Sequence, residues 1–267
     1  MRDRYAVFGH PVAHSRSPWI HAEFARSTGQ DIEYGRIEAP LDGFARAVDA
    51  FRAAGGRGAN VTLPFKGEAF RYCTAASERA RAAQAVNTLL FEGAAARGDN
   101  TDGVGLVRDL SANLGRRLAG ARVLLMGAGG AAQGVLAPLL EAGVAQLTIA
   151  NRTVARAEQL AARFSGTNAS GYPALAGQSF DLVINATSAG LSDDSPPLPA
   201  GVFAPGALAY DMVYGRDTPF LALARAAGIQ ACDGAGMLVE QAAESFFLWR
   251  GVRPETRAVL EALRRSR

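Results

Sequence analysis

Val123-Leu124-Leu125-Met126-Gly127-Ala128-Gly129-Gly130-Ala131-Ala132-Gln133-Gly134-Val135-Leu136-Ala137-Pro138-Leu139-Leu140 is the stretch on which the fold turns. Its 18 residues include one clearly polar side chain, Gln133, so it reaches the length of a membrane span. Gly127, Gly129, Gly130, Gly134 and Pro138 interrupt it, and Arg122 and Glu141 bound it. It therefore reads as a buried strand ending at Met126, a glycine turn and a buried helix. Between strand and helix, residues 127–132 form G-x-G-x-x-A. Alone that pattern is weak; in this setting it marks a dinucleotide fold. The first glycine permits a tight turn, the second lets a pyrophosphate approach the backbone, and Ala132 allows close helix–strand packing. A purely structural glycine turn is the alternative.

The next strand, residues 146–150, selects the dinucleotide. NAD-binding domains commonly end it with Asp or Glu, about 20 residues past the glycines, to hold the ribose hydroxyls. Here the strand ends in Asn151-Arg152-Thr153, with Arg156 one helical turn further. No carboxylate would repel a 2′-phosphate, and two guanidiniums could pair with it, so the expected cofactor is NADP. An ordinary surface arginine pair is the alternative.

Outward from that unit, apolar strands alternate with helical periodicity. Residues 122–126, 146–150, 180–185, 207–212 and 229–232 read as strands, with helices over 153–164 and 219–227 between them. Earlier in the chain, residues 5–8, 32–34 and 59–62 read as strands, and 19–28 as a helix stopped by Gly29. Phe44, Ala47, Val48 and Phe51 follow i, i+3, i+4, i+7 spacing in a helix ended by Gly55-Gly56. Residues 86–91 and the segment before Asp99 read as a hairpin around Gly93, followed by a helix over 104–114. The chain is thus α/β, with parallel sheets and helices on their faces. Two domains are expected: 1–103, with C-terminal helices of 236–267 packing back on it, and a doubly wound, Rossmann-type domain over 104–235.

Composition narrows the function. At 49% hydrophobic and 20% charged, the 267-residue chain can bury a core. A pI of 9.1 looks basic, yet the net charge is +3 and no dense basic run appears before the terminal Arg264-Arg265-Ser266-Arg267. No nucleic-acid or membrane partner is expected. Cys73 and Cys232 match no CxxC pattern and suggest a reducing cytoplasm. His10, His14 and His21 lack companions for a closed metal set, so no metal is expected. No Gly-x-Ser-x-Gly elbow is present, which argues against a serine hydrolase.

Of 28 lysines and arginines, one is a lysine, Lys66. Arg replaces Lys wherever charge alone matters, but not where a compact amine must exchange a proton. Chance survival of one lysine is the bland alternative. Lys66 lies just beyond a strand in Asn60-Val61-Thr62-Leu63-Pro64-Phe65-Lys66. Two further polar clusters end strands or open helices: His14-Ser15-Arg16-Ser17-Pro18 and Gly98-Asp99-Asn100-Thr101-Asp102-Gly103. Ser17 suits an N-cap and Pro18 the first helical position; two hydroxyls at a helix N-terminus would bind a carboxylate. A lysine near an aspartate can form a proton-transfer pair.

These stretches, in order from residue 9 to 241, resemble the shikimate dehydrogenases. The resemblance starts at Gly9-His10-Pro11 and extends through Ala85-Val86-Asn87-Thr88, Asn185-Ala186-Thr187-Ser188, Asp211-Met212-Val213-Tyr214 and Asp233-Gly234-Ala235-Gly236-Met237-Leu238-Val239-Glu240-Gln241. It implies an NADP-dependent oxidoreductase that reduces 3-dehydroshikimate to shikimate on the path to chorismate and aromatic amino acids. Lys66 and Asp102 would be the catalytic pair. Ser15 and Ser17 would hold the substrate carboxylate, and Thr62, Asn87, Asp102, Tyr214 and Gln241 its hydroxyls. Gly127, Ala128, Gly129, Gly130, Ala131, Asn151, Arg152, Thr153, Arg156, Thr187, Met212 and Gly234 would line the NADP site. One departure is His21-Ala22, where the family usually has His-Asn. Alternatives are a quinate/shikimate dehydrogenase of broader specificity and a non-catalytic metabolite-binding homologue. A monomer or a homodimer fits equally.

Overall fold

The structure, a computed structural model, describes residues 2–187 and 197–266. The chain opens with β1 (Asp3–Gly9), α1 (Ser17–Thr28), β2 (Ile32–Glu38), α2 (Phe44–Ala53), β3 (Gly56–Val61) and α3 (Lys66–Tyr72). Then come β4 (Ala75–Ala76), α4 (Glu78–Ala83), β5 (Thr88–Glu92), β6 (Ala95–Asp99) and α5 (Asp102–Arg108), which runs into a π-helical turn, Asp109–Asn113. The later elements are β7 (Arg122–Met126), α6 (Gly130–Glu141), β8 (Gln146–Ala150), α7 (Val154–Ala161), β9 (Thr167–Ser170) and a 3₁₀ turn, Tyr172–Leu175. They end with β10 (Phe180–Asn185), β11 (Phe203–Asp211), α8 (Pro219–Ala226), β12 (Gln230–Asp233), α9 (Ala235–Arg250) and α10 (Arg257–Arg265). One compact unit runs to Gly105 and takes in Val239–Ser266; the other is Leu106–Leu238.

The first unit has a six-stranded sheet in the order β2-β1-β3-β5-β6-β4. It is mixed rather than purely parallel. The β5–β6 connection is far too short for a crossover, which needs a dozen or more residues, so that pair runs antiparallel, and β3–β5 is antiparallel as well. Helices α3 and α4, with seven and six residues, are too short to show a helical period and are not evident in the sequence. Gly56 is not a helix stop as expected; it opens β3, where a Cβ would lie 2.4 Å from the Phe51 ring.

The second unit is doubly wound, with all strands parallel in the order β12-β11-β10-β7-β8-β9. Alternate β7 residues feed opposite cores. Val123 and Leu125 join Leu136, Leu147 and Ile184 on one face, and Leu124 and Met126 join Phe180, Val183 and Phe220 on the other. Burial on both faces explains why residues 123–126 read as a continuous apolar run. Among the described residues no helix is long and apolar enough to cross a membrane.

The C-terminal part of α9 docks on the first sheet through Trp249, whose indole N–H donates to the Leu89 carbonyl at 3.0 Å. The ring stacks on Tyr5 at 4.6 Å and covers Gly58. A Cβ on Gly58 would lie 2.5 Å from the Trp249 nitrogen and 2.7 Å from the Leu89 carbonyl oxygen. Neither can retreat without breaking the other's hydrogen bond. Gly58→Ala is therefore expected to destabilise the protein by about 2–3 kcal/mol in urea unfolding; a change within about 0.5 kcal/mol would contradict this packing.

Candidate active site

In the first unit, the sequence between β1 and α1 brings two hydroxyls together. Helix α1 begins at Ser17, with Arg16 rather than Ser17 as its N-cap and no side-chain capping bond. The expected role is taken over by Ser15. Its Oγ accepts from the Ser17 N–H at 3.3 Å and donates to the Ser17 Oγ at 3.2 Å. A serine hydroxyl reaches the amide two residues on more easily than it caps its own helix here. Both serines are buried. On the adjacent strand β2, Arg36 donates from Nε and Nη2 to the Ser15 carbonyl at 3.0 and 2.6 Å.

Lys66 is the first residue of α3, placed there by the chain reversal after β3. The Phe65 N–H donates to the Thr62 carbonyl, and the Thr62 methyl fills the space a side chain at Gly9 would need. The Lys66 Nζ lies 2.5 Å from Asp102 Oδ2, with side-chain exposures of 16% and 7%. The other Asp102 oxygen accepts from Asn87 Nδ2 at 2.8 Å. Asn87 also donates to Thr101 Oγ1 at 2.9 Å and to Gln241 Oε1 at 3.4 Å, and its own oxygen accepts from Thr88 and Thr101. Lys66, Asn87, Asp102 and Gln241 are thus brought into one hydrogen-bonded group, although the last follows the first by 175 positions.

Beneath this group lies a polar layer that carried no assigned role from the sequence. Asn60 donates to the Asn87 carbonyl, Thr88 and Ser245, and accepts from the Tyr34 hydroxyl at 2.7 Å. Ser245 also meets Thr88 at 2.8 Å and Thr101 at 3.2 Å. The available signals were a polar Asn60 inside a buried strand and Ser245 one turn beyond Gln241. Burial pushes the Tyr34 hydroxyl well above its ordinary pKa, with Ser17 acting in the opposite direction.

In the second unit, every residue expected at the cofactor follows the carboxyl end of a parallel strand, where open α/β sheets bind ligands. Gly127 leaves β7 with φ +106°, and a Cβ there would stand 3.2 Å from the Ala186 backbone and the Thr187 methyl. At Gly129 and Gly130 a Cβ would meet nothing within 4 Å. The protein's own packing thus requires glycine only at the first position; at the others it leaves room before the α6 N-terminus, as a pyrophosphate needs. Ala132 is fully buried. Asn151 donates to the Thr153 carbonyl at 2.9 Å, folding the turn after β8. Arg152 and Arg156 are exposed and have no ion-pair partner among the described residues. Thr187 Oγ1 donates to Asn185 at 2.7 Å, the Met212 N–H donates to the Asn185 carbonyl, and a Cβ on Gly234 would strike the Met212 carbonyl at 2.4 Å. Ser188, at the end of its motif, lies outside the described residues. Tyr214, half-buried, belongs to this second unit and not to the first with the other substrate candidates. Among the described residues no group of three or more His, Cys, Asp or Glu side chains could hold a metal ion.

His21 supports the first site from behind. Its ring is fully buried and stacks on Tyr34 with centroids 4.2 Å apart and planes 7° from parallel. Burial pushes its pKa down to about 3. The folded state therefore keeps His21 neutral while the unfolded chain takes up a proton below about pH 6.5. This contribution is intact above that pH and declines by about 1.4 kcal/mol per unit on acidification toward 3. From pH 7 to pH 5, wild type should lose about 2 kcal/mol more than His21→Phe in urea unfolding; equal losses would remove the assignment.

Residues 7–89 match the family of the shikimate dehydrogenase substrate binding domain, 109–192 that of shikimate / quinate 5-dehydrogenase, and 234–264 the shikimate 5′-dehydrogenase C-terminal domain. The chain is 60% identical to the shikimate dehydrogenase (NADP(+)) of Methylobacillus flagellatus, over 98% of this chain and 99% of that one. Among solved structures, it is similar to an Ael1 enzyme from Pseudomonas putida, with TM-score 0.93 and 53% identity over 98% of both chains. It is also similar to the Thermus thermophilus shikimate 5-dehydrogenase in complex with NADP(H) and shikimate, with TM-score 0.90 and 38% identity over 99% and 100% of the two chains. The chain belongs to the shikimate dehydrogenase family.

Proposed function

We propose that the protein interconverts 3-dehydroshikimate and shikimate with NADPH and NADP, the ketone reduction on the path to chorismate and the aromatic amino acids, in the cytoplasm. The observation that carries this reading is the 2.5 Å contact between the only lysine and Asp102, within the Asn87 network. Two free thiols, Cys73 and Cys232, support a reducing compartment.

The paired Ser15 and Ser17 hydroxyls hold the ring carboxylate at the start of α1. Lys66 donates a proton to the ketone oxygen as it gains charge, and takes it back from the hydroxyl in the reverse direction. Asp102 orients that amine through one oxygen and is itself oriented by Asn87 through the other. Thr62, Asn87, Tyr214 and Gln241 meet the ring hydroxyls.

When bound, NADPH supplies the hydride. Gly127, Ala128, Gly129, Gly130 and Ala131 would hold its pyrophosphate, and Asn151, Arg152, Thr153 and Arg156 its 2′-phosphate. Thr187, Met212 and Gly234 line the rest of that site. Quinate is a second substrate to test, because the family matched by residues 109–192 spans both acids.

Lys66→Arg should fold normally and bind NADPH, yet lose about 10²–10⁴-fold in kcat, because a guanidinium hardly exchanges a proton near neutrality. Turnover near wild type would mean that the amine contributes charge alone. Arg152→Asp should weaken NADPH binding at least about tenfold more than NADH binding in fluorescence titration, through loss of a charge-assisted bond. Equal losses would sink the 2′-phosphate assignment. Wild type assayed with shikimate and quinate against NADP and NAD should prefer the shikimate–NADP pair, and equal quinate turnover would favour the broader reading.

A further inference from the structure

The turn that delivers Asp102 begins inside an ion cluster that the proposed chemistry does not use. Asp99, at the end of β6, is 8% exposed and accepts from Ser77 Oγ at 2.6 Å and from the Asn100 N–H at 2.7 Å. Arg79 on α4 donates to it from Nε at 2.6 Å and Nη2 at 3.0 Å. The same Nη2 donates to Glu244 Oε1 on α9 at 3.1 Å, and Glu244 is 7% exposed. The other Glu244 oxygen accepts from Arg253 Nη2 at 2.5 Å, whose guanidinium lies over the Phe247 ring.

Each end of this cluster leads directly to the site. From Asp99, the Asn100 side chain accepts the Asp102 N–H at 3.1 Å and donates to the Ala85 carbonyl, while the Asp99 carbonyl accepts the Asn87 N–H. From Glu244, one turn back along α9 is Gln241, which meets Asn87. One planar guanidinium can satisfy both carboxylates in only a narrow range of placements of turn and helix. Apolar packing would stabilise the same place at least as well, and setting register is the best-attested use of buried ion pairs.

We propose that Arg79 and Glu244 are positioning residues, an ionic clamp that sets the Asp99–Asp102 turn, and with it Asp102, against the helix carrying Gln241. The clamp rests on the reaction proposed above. The Arg79 arm acts through Asp102 and so on kcat; the Glu244 arm acts through Gln241 and so on substrate binding.

Shikimate oxidation by NADP is the measurement, with native sites counted as molecules whose first unit is folded, from the fluorescence of Trp19 and Trp249, both of which lie in that unit. A merely structural role would reduce the number of sites and leave kcat per site unchanged. Arg79→Met should lower kcat per site tenfold or more with KM for NADP within twofold, and Arg79→Lys should recover part of that loss. Glu244→Gln, which keeps the Arg79–Asp99 pair, should raise KM for shikimate at least threefold with kcat within twofold. A folded Arg79→Met with wild-type kcat per site would overturn the clamp. If that variant does not fold, Glu244→Gln decides, and an unchanged shikimate KM overturns the clamp. Absence of wild-type turnover would overturn the reaction itself, and the clamp with it.

Discussion

The buried amide of Asn87 is the constraint around which the first unit is arranged. An amide 2% exposed must have its donors and acceptor satisfied, because each unmet group costs about 1–3 kcal/mol. Besides its neighbour Thr88, its partners come from elsewhere in the chain: Thr101 and Asp102 past the hairpin, and Gln241 on α9. Satisfying Asn87 therefore requires the β5–β6 pairing and the turn after β6, and Gln241 of α9 joins them as a third, longer contact at 3.4 Å. Asp102 receives its orientation from that requirement, and Lys66 from Asp102. The chemistry proposed for this pair rests on a group that need not itself react.

The second unit meets a different constraint, the close passage of backbone at the ends of parallel strands. Gly127 must turn sharply beside Ala186, and Gly234 must pass the Met212 carbonyl. Asn185 connects these crossings: its side chain holds Thr187 and Asp211, and its carbonyl accepts the Met212 N–H. Asp211 is fully buried, and burial pushes its pKa up against the hydrogen bonds from Thr218, Val213 and Asn185. The polar residues of these motifs thus shape the rim, while the groups left facing open space are the small Gly129 and Gly130 and the exposed arginines.

Features with strong local signals were legible in the sequence. The strand–glycine–helix stretch at 122–141, the hairpin at Gly93 and the amphipathic α2 each carry their period or turn residue on their own. Lys66 stood out by residue type and Asp102 through the family resemblance, and the structure places them in contact. What stayed hidden depends on tertiary partners. Nothing local says that Ser15 rather than Ser17 takes the amide at the start of α1, since that depends on how the chain leaves β1. Ser245 looks like any small residue in an apolar helix until Asn60, Thr88 and Thr101 surround it. The mixed sheet is equally nonlocal: a hairpin can be read from Gly93, but its insertion beside β3 cannot.

The imbalance of basic residues follows the same division between local charge and placed chemistry. Several arginines in this chain are used for their forks. Arg52 reaches the Tyr72 hydroxyl and the carbonyls of Gly93, Ala94 and Ala95; Arg36 sets two donors on one carbonyl; Arg122 grips both oxygens of Asp181. Each such site gains from several fixed donors and needs no change of charge. Lys66 has the opposite profile, a single contact to one carboxylate oxygen at a largely buried position. A fork there would span both Asp102 oxygens and compete with Asn87 for the second. A lysine leaves that oxygen to the amide, and the proton exchange proposed for this position needs an amine rather than a guanidinium. Of the 28 positions holding lysine or arginine, the one without arginine is thus one whose carboxylate partner already shares its second oxygen with a side-chain amide.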